Sequence, residues 1–350
     1  MISRSPQAYW VLRVALALST QVLPGQPYYA VSILGDTLSG RMTVWRIDEN
    51  GAMTLHQNIS LPSGSEAVHV DPFGRYVLFA TEEGFQNYRI ELWQVESDYT
   101  LFHTDSFSME GMGFSPAVGE ISQDGNWFVD LVTTFPPLTQ DLSIQSFRLT
   151  EELKIELGGA PQSIASSELI HTIDLVVAQA DASVVIVASN SDPDVIVGMS
   201  MDSSGAVERD GVTLELPVGG AQSMAVRLDG RIVVSGAMPL TLQVSSSGEI
   251  GHVDTADVPV QLRNAHFHPS RLGLVGGDTM NIVDLNRDGT FPNTYDSLFT
   301  SGFRGAAVTH DGRFVVYSQD CPGPGECFSV FRPHLSPASL DPAFTLVPLR

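Results

Sequence analysis

The sequence predicts an all-β fold, a seven-bladed β-propeller of four-stranded antiparallel blades. Three observations predict it. The first is a recurring unit: Asp311-Gly312-Arg313-Phe314-Val315-Val316, Asp229-Gly230-Arg231-Ile232-Val233-Val234, Asp71-Pro72-Phe73-Gly74-Arg75-Tyr76-Val77 and Asp124-Gly125-Asn126-Trp127-Phe128-Val129. An apolar run precedes each Asp and a second apolar run follows. Asp bonds its own backbone two residues on, and Gly takes the positive φ that such a turn needs. The unit is one β-hairpin used repeatedly. The second observation is its rhythm. Outer-hairpin turns fall near Gly51, Asp98, Glu152, Gly205, Gly248, Gly289 and Leu335. Four short strands per roughly 40–50 residues is the repeat of a propeller blade rather than of a sandwich or a solenoid. The third is the near absence of helical periodicity. Only residues 163–168 read as a single helical turn.

In chain order, residues 28–34, 42–47 and 53–56 read as the strands of a first blade, with the turn Asp48-Glu49-Asn50-Gly51 between the last two. No obvious inner strand precedes them after residue 27. The second blade runs from Glu66, with strands at residues 67–70, 76–80, 89–95 and 99–105. The third spans residues 114–157, interrupted by Pro136-Pro137. The fourth, residues 170–216, is the most degenerate, with Ala180-Asp181-Ala182-Ser183 where Asp-Gly is expected. The fifth covers residues 221–253, the sixth residues 265–289 and beyond, and the seventh residues 306–347. Residues 28–350 are therefore expected to form a single domain. Residues 1–27 carry two alternative readings. Arg4 and Arg13 before the apolar Val14-Ala15-Leu16-Ala17-Leu18 suit an export signal, although no Ala-x-Ala site follows. The nearly continuous apolar run of residues 9–18 equally suits a strand that closes the ring.

Composition limits the function. The chain has 350 residues, of which 18 are basic and 40 acidic, a net charge of -22. Such a surface repels phosphate backbones and anionic headgroups, which disfavours nucleic-acid and membrane-surface partners. No run reaches the ~20 apolar residues of a membrane span. A small-molecule or protein ligand at the central channel, bound by a monomer, is the expectation. The two cysteines, Cys321 and Cys327, flank Pro322-Gly323-Pro324-Gly325-Glu326. No further Cys or His stands beside them to form a zinc site, and the spacing suits a disulfide across a hairpin loop. That pair and the N-terminal segment point to a periplasmic or extracellular protein. Two inert thiols in a cytoplasmic protein are the alternative.

The opening Tyr28-Tyr29-Ala30-Val31, with Gly40-Arg41-Met42-Thr43-Val44-Trp45-Arg46-Ile47-Asp48-Glu49-Asn50-Gly51, resembles the first blade of the lactonase-type seven-bladed propellers. These include the bacterial 6-phosphogluconolactonases and the muconate-cycloisomerase-like proteins. The Asp-Pro-Phe-Gly-Arg-Tyr-Val and Asp-Gly-Arg-Phe-Val-Val turns resemble that family too. The resemblance spans residues 28–350 as a rhythm of structural turns. The Trp-Asp ending of Trp-Asp-repeat blades is missing. The resemblance implies His, Arg and Glu side chains in the central channel of catalytic members.

In a propeller the innermost strands line the channel, and the loops that enter them form one mouth where ligands bind. The residues at those places are Glu66, His69, Glu120, Gln222, Arg263, Asn264, His266, His268, Arg304 and His310. Glu66, Glu120 and His266 are the candidates for activating water. Arg263, Asn264, Arg304 and Gln222 are the candidates for ligand binding, with Arg suited to a carboxylate or an oxyanion. His268 and His310 precede turns, where a structural bond to a neighbouring strand is the plainer reading. Asp284-Leu285-Asn286-Arg287-Asp288-Gly289 matches the first half of a calcium loop, with Asp284, Asn286 and Asp288 as alternate oxygen ligands. Its twelfth position is Tyr295 rather than Glu, so a hairpin turn is preferred and no cofactor is expected. No Gly-x-Ser-x-Gly elbow, phosphate loop or His-Glu-x-x-His is present. Two functions remain. The leading one is a non-catalytic, extracytoplasmic propeller that binds a ligand or protein at its channel mouth. The alternative is a hydrolase of sugar-derived lactones using channel Glu or His with Arg. Peptide mapping without reductant is expected to recover Cys321 and Cys327 in one cross-linked peptide, and recovery of both as free thiols would remove the disulfide.

Overall fold

A computed structural model of the chain describes residues 11–17, 27–35, 40–62, 65–71, 73–82, 87–110, 112–114, 119–122, 124–134, 141–164, 172–179, 182–189, 195–215, 223–226, 231–235, 240–244, 250–255, 264–267, 272–276, 279–284, 286, 288–291, 296–299, 305–308, 314–320, 326–331 and 347–348. All regular elements among them are β-strands, and they form seven antiparallel sheets. The first holds β1 (Val11–Ala17), β2 (Tyr28–Gly35), β3 (Gly40–Ile47) and β4 (Met53–Leu61). The second holds β5 (Ser65–Val70), β6 (Tyr76–Glu82), β7 (Asn87–Val95) and β8 (Leu101–Glu110). In the third, β9 (Met112–Phe114) lies on β11 (Trp127–Thr134), which also pairs with β10 (Glu120–Ile121) and β12 (Asp141–Leu149). The same β12 takes both β13 (Ile155–Leu157) and β14 (Gln162–Ile164). The fourth runs β15 (Thr172–Gln179), β16 (Ala182–Ser189), β17 (Val195–Met201), β18 (Val207–Glu215). The fifth runs β19 (Ser223–Val226), β20 (Arg231–Ser235), β21 (Leu240–Val244), β22 (Ile250–Thr255). The sixth is β23 (Asn264–Phe267), β24 (Leu272–Gly276), β25 (Thr279–Asp284), β26 (Asp296–Phe299), and the seventh is β27 (Gly305–Val308), β28 (Val315–Asp320), β29 (Glu326–Phe331), β30 (Val347–Pro348).

The first strands of the sheets neighbour one another in the order β1, β5, β10, β15, β19, β23, β27, and β27 lies in turn against β1. This is the propeller arrangement, with one strand of each sheet at the centre. Two details bear on the sequence reading. Val11–Ala17 is the inner strand of the first sheet, paired along its whole length with β2. Ser163 does not open a helical turn. It sits in β14, opposite Ser143, because β12 is long enough to offer its outer ladder to two successive strands. The other residues of that expected turn, 165–168, lie outside the described residues.

The turns show why these residues make hairpins. Gly74 and Gly125 stand at φ +67° and +69° in the inner turns. Asp71 accepts the backbone N–H of Phe73 and Arg75, and Asp124 accepts that of Asn126. In the outer turns Asp48, Asp98, Asp202 and Asp288 each accept a backbone N–H two residues on. Gly51, Gly205 and Gly289 supply the left-handed residue there. Tyr99 and Leu153 hold the same conformation without being glycine. Tertiary packing offsets the strain: Tyr99 stacks on Tyr29 at 4.0 Å, and Leu153 packs on the core between the second and third sheets.

The core lies between adjacent sheets. Tyr29, Val31, Ile33 and Val44 of the first sheet meet Val68, Val77, Phe79 and Leu101 of the second. Ile90, Leu92 and Tyr76 of the second meet Phe128, Val132 and Phe147 of the third. At the outer rim a polar clasp recurs. The outer strands β4, β8 and β22 each carry a bulge opposite Val44/Trp45, Leu92/Trp93 and Thr241/Leu242. The residue just after each bulge reaches the next sheet: Gln57 accepts the N–H of Leu101 at 2.7 Å, Asp105 that of Ile155 at 2.9 Å, and Asp254 that of Phe291 at 2.8 Å. Leu101 and Ile155 each begin the strand that follows an outer turn, and Phe291 directly follows the outer turn of Asp288 and Gly289. Truncation leaves that donor without its acceptor, which typically costs about 1–3 kcal/mol. Asp105→Ala is therefore expected to lower the urea midpoint by that free energy at unchanged slope, and Asp105→Asn to lower it less.

Candidate functional site at the centre of the sheets

The register of each inner strand on its neighbour sets which residues share a level. Tyr76, Trp127 and Leu272 begin the second strands of their sheets. Two residues on, Leu78, Val129 and Leu274 stand opposite His69, Glu120 and His266. Two residues further, Ala80 stands opposite Glu66 and Gly276 opposite Asn264. Hence Glu120 and His266 share one level with His69, and Glu66 and Asn264 share the next, about 6.6 Å toward the N-terminal ends of the inner strands. In the fifth sheet the same two levels hold Ala225 and Ser223, opposite Val233 and Ser235.

The first sheet joins this scheme through its bulge. Trp45 and Trp93 occupy the same place beside it, and they pair with Ala30 and Val77. Val31 therefore corresponds to Leu78, and Ile33 to Ala80. Their partners on β1 are Ala15 and Arg13. Arg13 thus shares the level of Glu66 and Asn264. Sequence reading missed it because residues 9–18 read equally as an export signal.

Between the second and third sheets the local geometry is set by close packing. His69 is buried, 8% exposed, with its ring 5.3 Å from that of Phe128. Gly119, next to Glu120, makes room for both Phe128 and the carboxylate of Asp130. A Cβ there would come within 2.5 Å of Phe128 Cζ and 3.0 Å of Asp130 Oδ1. Asp130 is fully buried, opposite the buried Gln145, whose amide donates to the carbonyls of Ser146 and Gly159 at 2.8 and 3.0 Å. Glu120 is half-buried and accepts the N–H of Ile121 at 3.2 Å. Asp130 was not a sequence candidate. Its signal was a single acid inside the apolar run Phe128-Val129-Asp130-Leu131-Val132.

A second polar assembly ties the ends of these strands together. Asp71, 1% exposed, takes both Nε and Nη2 of Arg75 at 2.9 Å. Arg75 also donates to the carbonyls of Asp124 and Gly125 in the next sheet, and the Tyr76 hydroxyl donates to Gly125 as well. Burial, then the Asp71 charge, pushes the Tyr76 phenol well above its ordinary value, and the bond to Asp71 raises the Arg75 guanidinium. The turn from Asp71 to Tyr76 is thus a staple between the second and third sheets.

Of the other sequence candidates, Gln222, Arg263 and Arg304 immediately precede β19, β23 and β27 and lie outside the described residues, as do His268, His310 and Cys321. Cys327 lies in β29 opposite Gln319. Asp284 ends β25, and Asn286 and Asp288 bond Thr290 within the outer turn, the pattern that Asp98 and Asp202 repeat. Among the described residues no group of three His, Cys, Asp or Glu is placed to hold a metal ion, and no helix is long and apolar enough to cross a membrane.

Three solved structures share this architecture. A periplasmic gluconolactonase of Pseudomonas aeruginosa matches with a TM-score of 0.67, covering 97% of this chain and 96% of its own at 12% identity. The fold is that of the lactonase-type β-propellers. A protein described as a candidate 6-phosphogluconolactonase of Bacteroides fragilis matches with a TM-score of 0.65, 99% and 97% coverage and 12% identity. A functionally unknown protein of Desulfotomaculum acetoxidans matches with a TM-score of 0.63, 87% and 95% coverage and 12% identity. No family model and no curated protein sequence matches the chain. Within this lactonase-type fold the tight seat of Gly119 makes a prediction. Gly119→Val is expected to force Phe128 out of place and cost about 1–3 kcal/mol, read as a lowered melting temperature with a changed near-ultraviolet aromatic signal. An unchanged melt would show that Phe128 is free to yield.

Proposed function

We propose that the protein opens a lactone of a sugar-derived acid in the space between its inner strands. The sequence by itself favoured a non-catalytic binding propeller. The solved neighbours support the hydrolytic reading better. One observation carries it: Glu120 and His266 stand on one level of the innermost strands, with Glu66 and Asn264 on the next, in a fold whose neighbours include a gluconolactonase.

The chemistry follows from those residue types. A carboxylate or imidazole takes a proton from water, and the oxygen adds to the lactone carbonyl. Arg263 or Arg304 stabilises the resulting oxyanion and holds an anionic group of the substrate. Collapse of the tetrahedral intermediate breaks the ring C–O bond, and the departing alkoxide recovers the proton as a hydroxyl. No cofactor enters this scheme. An extracytoplasmic site of action is part of the proposal, supported by the periplasmic neighbour and by the Cys321 and Cys327 spacing.

Base release in a pH-stat on a panel of δ- and γ-lactones, glucono-δ-lactone among them, tests this reading. Turnover above the buffer rate is expected, with Glu120→Gln and His266→Ala each lowering kcat/KM by roughly 10²–10⁴. Absence of turnover across the panel would return the chain to the binding reading.

A further inference from the structure

We infer that Asn50 is a self-modifying site, which converts to isoaspartate through the backbone nitrogen of Gly51 and thereby loosens the seam between the first and seventh sheets. This chemistry is separate from the reaction proposed at the centre. Asn50 is the one asparagine of the chain that a glycine follows. Glycine carries no side chain to shield its nitrogen. Asn50 is exposed in the outer turn of the first sheet, and Gly51 beside it stands at φ +88°.

The step needs no partner but water. The Gly51 nitrogen gives up its proton to solvent and attacks Cγ of Asn50. A new C–N bond forms and the bond from Cγ to the side-chain nitrogen breaks. That nitrogen takes a proton back from solvent and leaves as ammonia. The five-membered imide then adds water at one of its two carbonyls. Opening at Cγ gives aspartate in the ordinary chain. Opening at the backbone carbonyl gives isoaspartate, with one extra methylene in the main chain.

The turn gates this step. The Gly51 N–H donates to the Asp48 carbonyl at 3.0 Å. The Asp48 carboxylate accepts the N–H of Asn50 at 2.8 Å and that of Ala52 at 2.9 Å. While these bonds hold, the attacking nitrogen is engaged and the turn is fixed. Attack therefore waits on local opening of the turn.

The consequence follows from what Gly51 touches. A Cβ there would come 3.2 Å from Phe314 Cε1 and 3.5 Å from Val330 Cγ1. Phe314 and Val330 belong to the seventh sheet and are buried. Phe314 also meets the Tyr28 ring edge-on at 5.3 Å. The same seat recurs at other seams. Tyr99 stacks on Tyr29, Leu153 packs on the cluster that holds Tyr76, and a Cβ on Gly205 would overlap the Trp127 ring. Each is the left-handed residue of an outer turn, set against the preceding sheet. A methylene inserted just before Gly51 displaces it from a close-packed contact that has no slack. The other described outer turns with a left-handed residue carry Asp98, Glu152, Ser204 and Asp288 at the place of Asn50. None of those has a side-chain amide to expel.

Incubation of the full chain at mildly alkaline pH, followed by peptide mapping, tests the proposal. The fragment that holds Asn50 is expected to gain the mass difference between an amide and an acid. It is also expected to split into two products, one of them accepting a methyl group from an isoaspartyl methyltransferase. Asn50→Gln is expected to show neither change. Asp48→Ala removes two of the bonds that hold the turn and is expected to speed conversion roughly 5- to 10-fold. Aged wild-type protein is expected to melt roughly 2–4 °C lower than fresh protein, with Asn50→Asp close to fresh wild type. Three results would each overturn the inference: no conversion while a free peptide of the same turn converts fully, an unchanged rate in Asp48→Ala, or aged protein that melts like Asn50→Asp. Should Asp48→Ala fail to fold, Asp48→Asn, which keeps a weaker acceptor, is expected to speed conversion by less, and an unchanged rate there overturns the gate.

Discussion

The hydrogen-bonded register between each innermost strand and its neighbour is the constraint on which the rest of this structure depends. Side chains alternate along a strand with period two, so a slip of one residue would exchange the faces of the whole strand. In the second sheet that slip would bring His69 out of its contact with Phe128 and put Val68 or Val70 in its place. The levels at the centre, Glu66 with Asn264 and Glu120 with His266, exist only because independent hairpins stop at equivalent positions. What stops them is the inner turn. Asp71 and Asp124 close their own backbones, and Gly74 and Gly125 take the left-handed conformation.

Register within a sheet says nothing about how sheets sit on one another, and a second set of contacts fixes that. Near the inner turns, Arg75 and Tyr76 reach the carbonyl of Gly125 in the following sheet. At the rim, Gln57, Asp105 and Asp254 each cap an N–H just after the next sheet's outer turn. Between these polar ends the interfaces are apolar, with Phe79, Phe128 and Phe147 fully buried. Apolar packing is tolerant of small rotations, whereas a hydrogen bond to a single N–H is not. The polar clasps therefore set the angle between sheets and the apolar surface supplies the driving force. Bulges make the rim clasps possible: the extra residue turns the next side chain from the strand's own sheet toward its neighbour.

A site made this way draws one or two residues from each of several sheets, and none needs to be near another in sequence. Arg13 and Asn264 share a level though some 250 residues separate them. Such a site tolerates plain residues at some places, as Ala15 and Ala225 show. The neighbours' share of the same fold at 12% identity fits this division, since the scaffold asks only for turns and apolar alternation.

Sequence alone determined the repeat, the hairpins and the all-β class, because Asp–Gly turns and period-two alternation are local and need no partner. It also placed Glu66, Glu120, Asn264 and His266 on inner strands, since each lies just upstream of a recognisable turn. It did not expose the role of residues 11–17, whose apolar composition serves an export signal and a central strand equally well. In the folded chain that segment pairs with Tyr28–Gly35 and lies beside β5 and β27. The buried carboxylate of Asp130 and the rim clasps were hidden for the same reason. Their partners are supplied by another sheet or by a strand many residues away, so their meaning appears only when the chain has closed on itself.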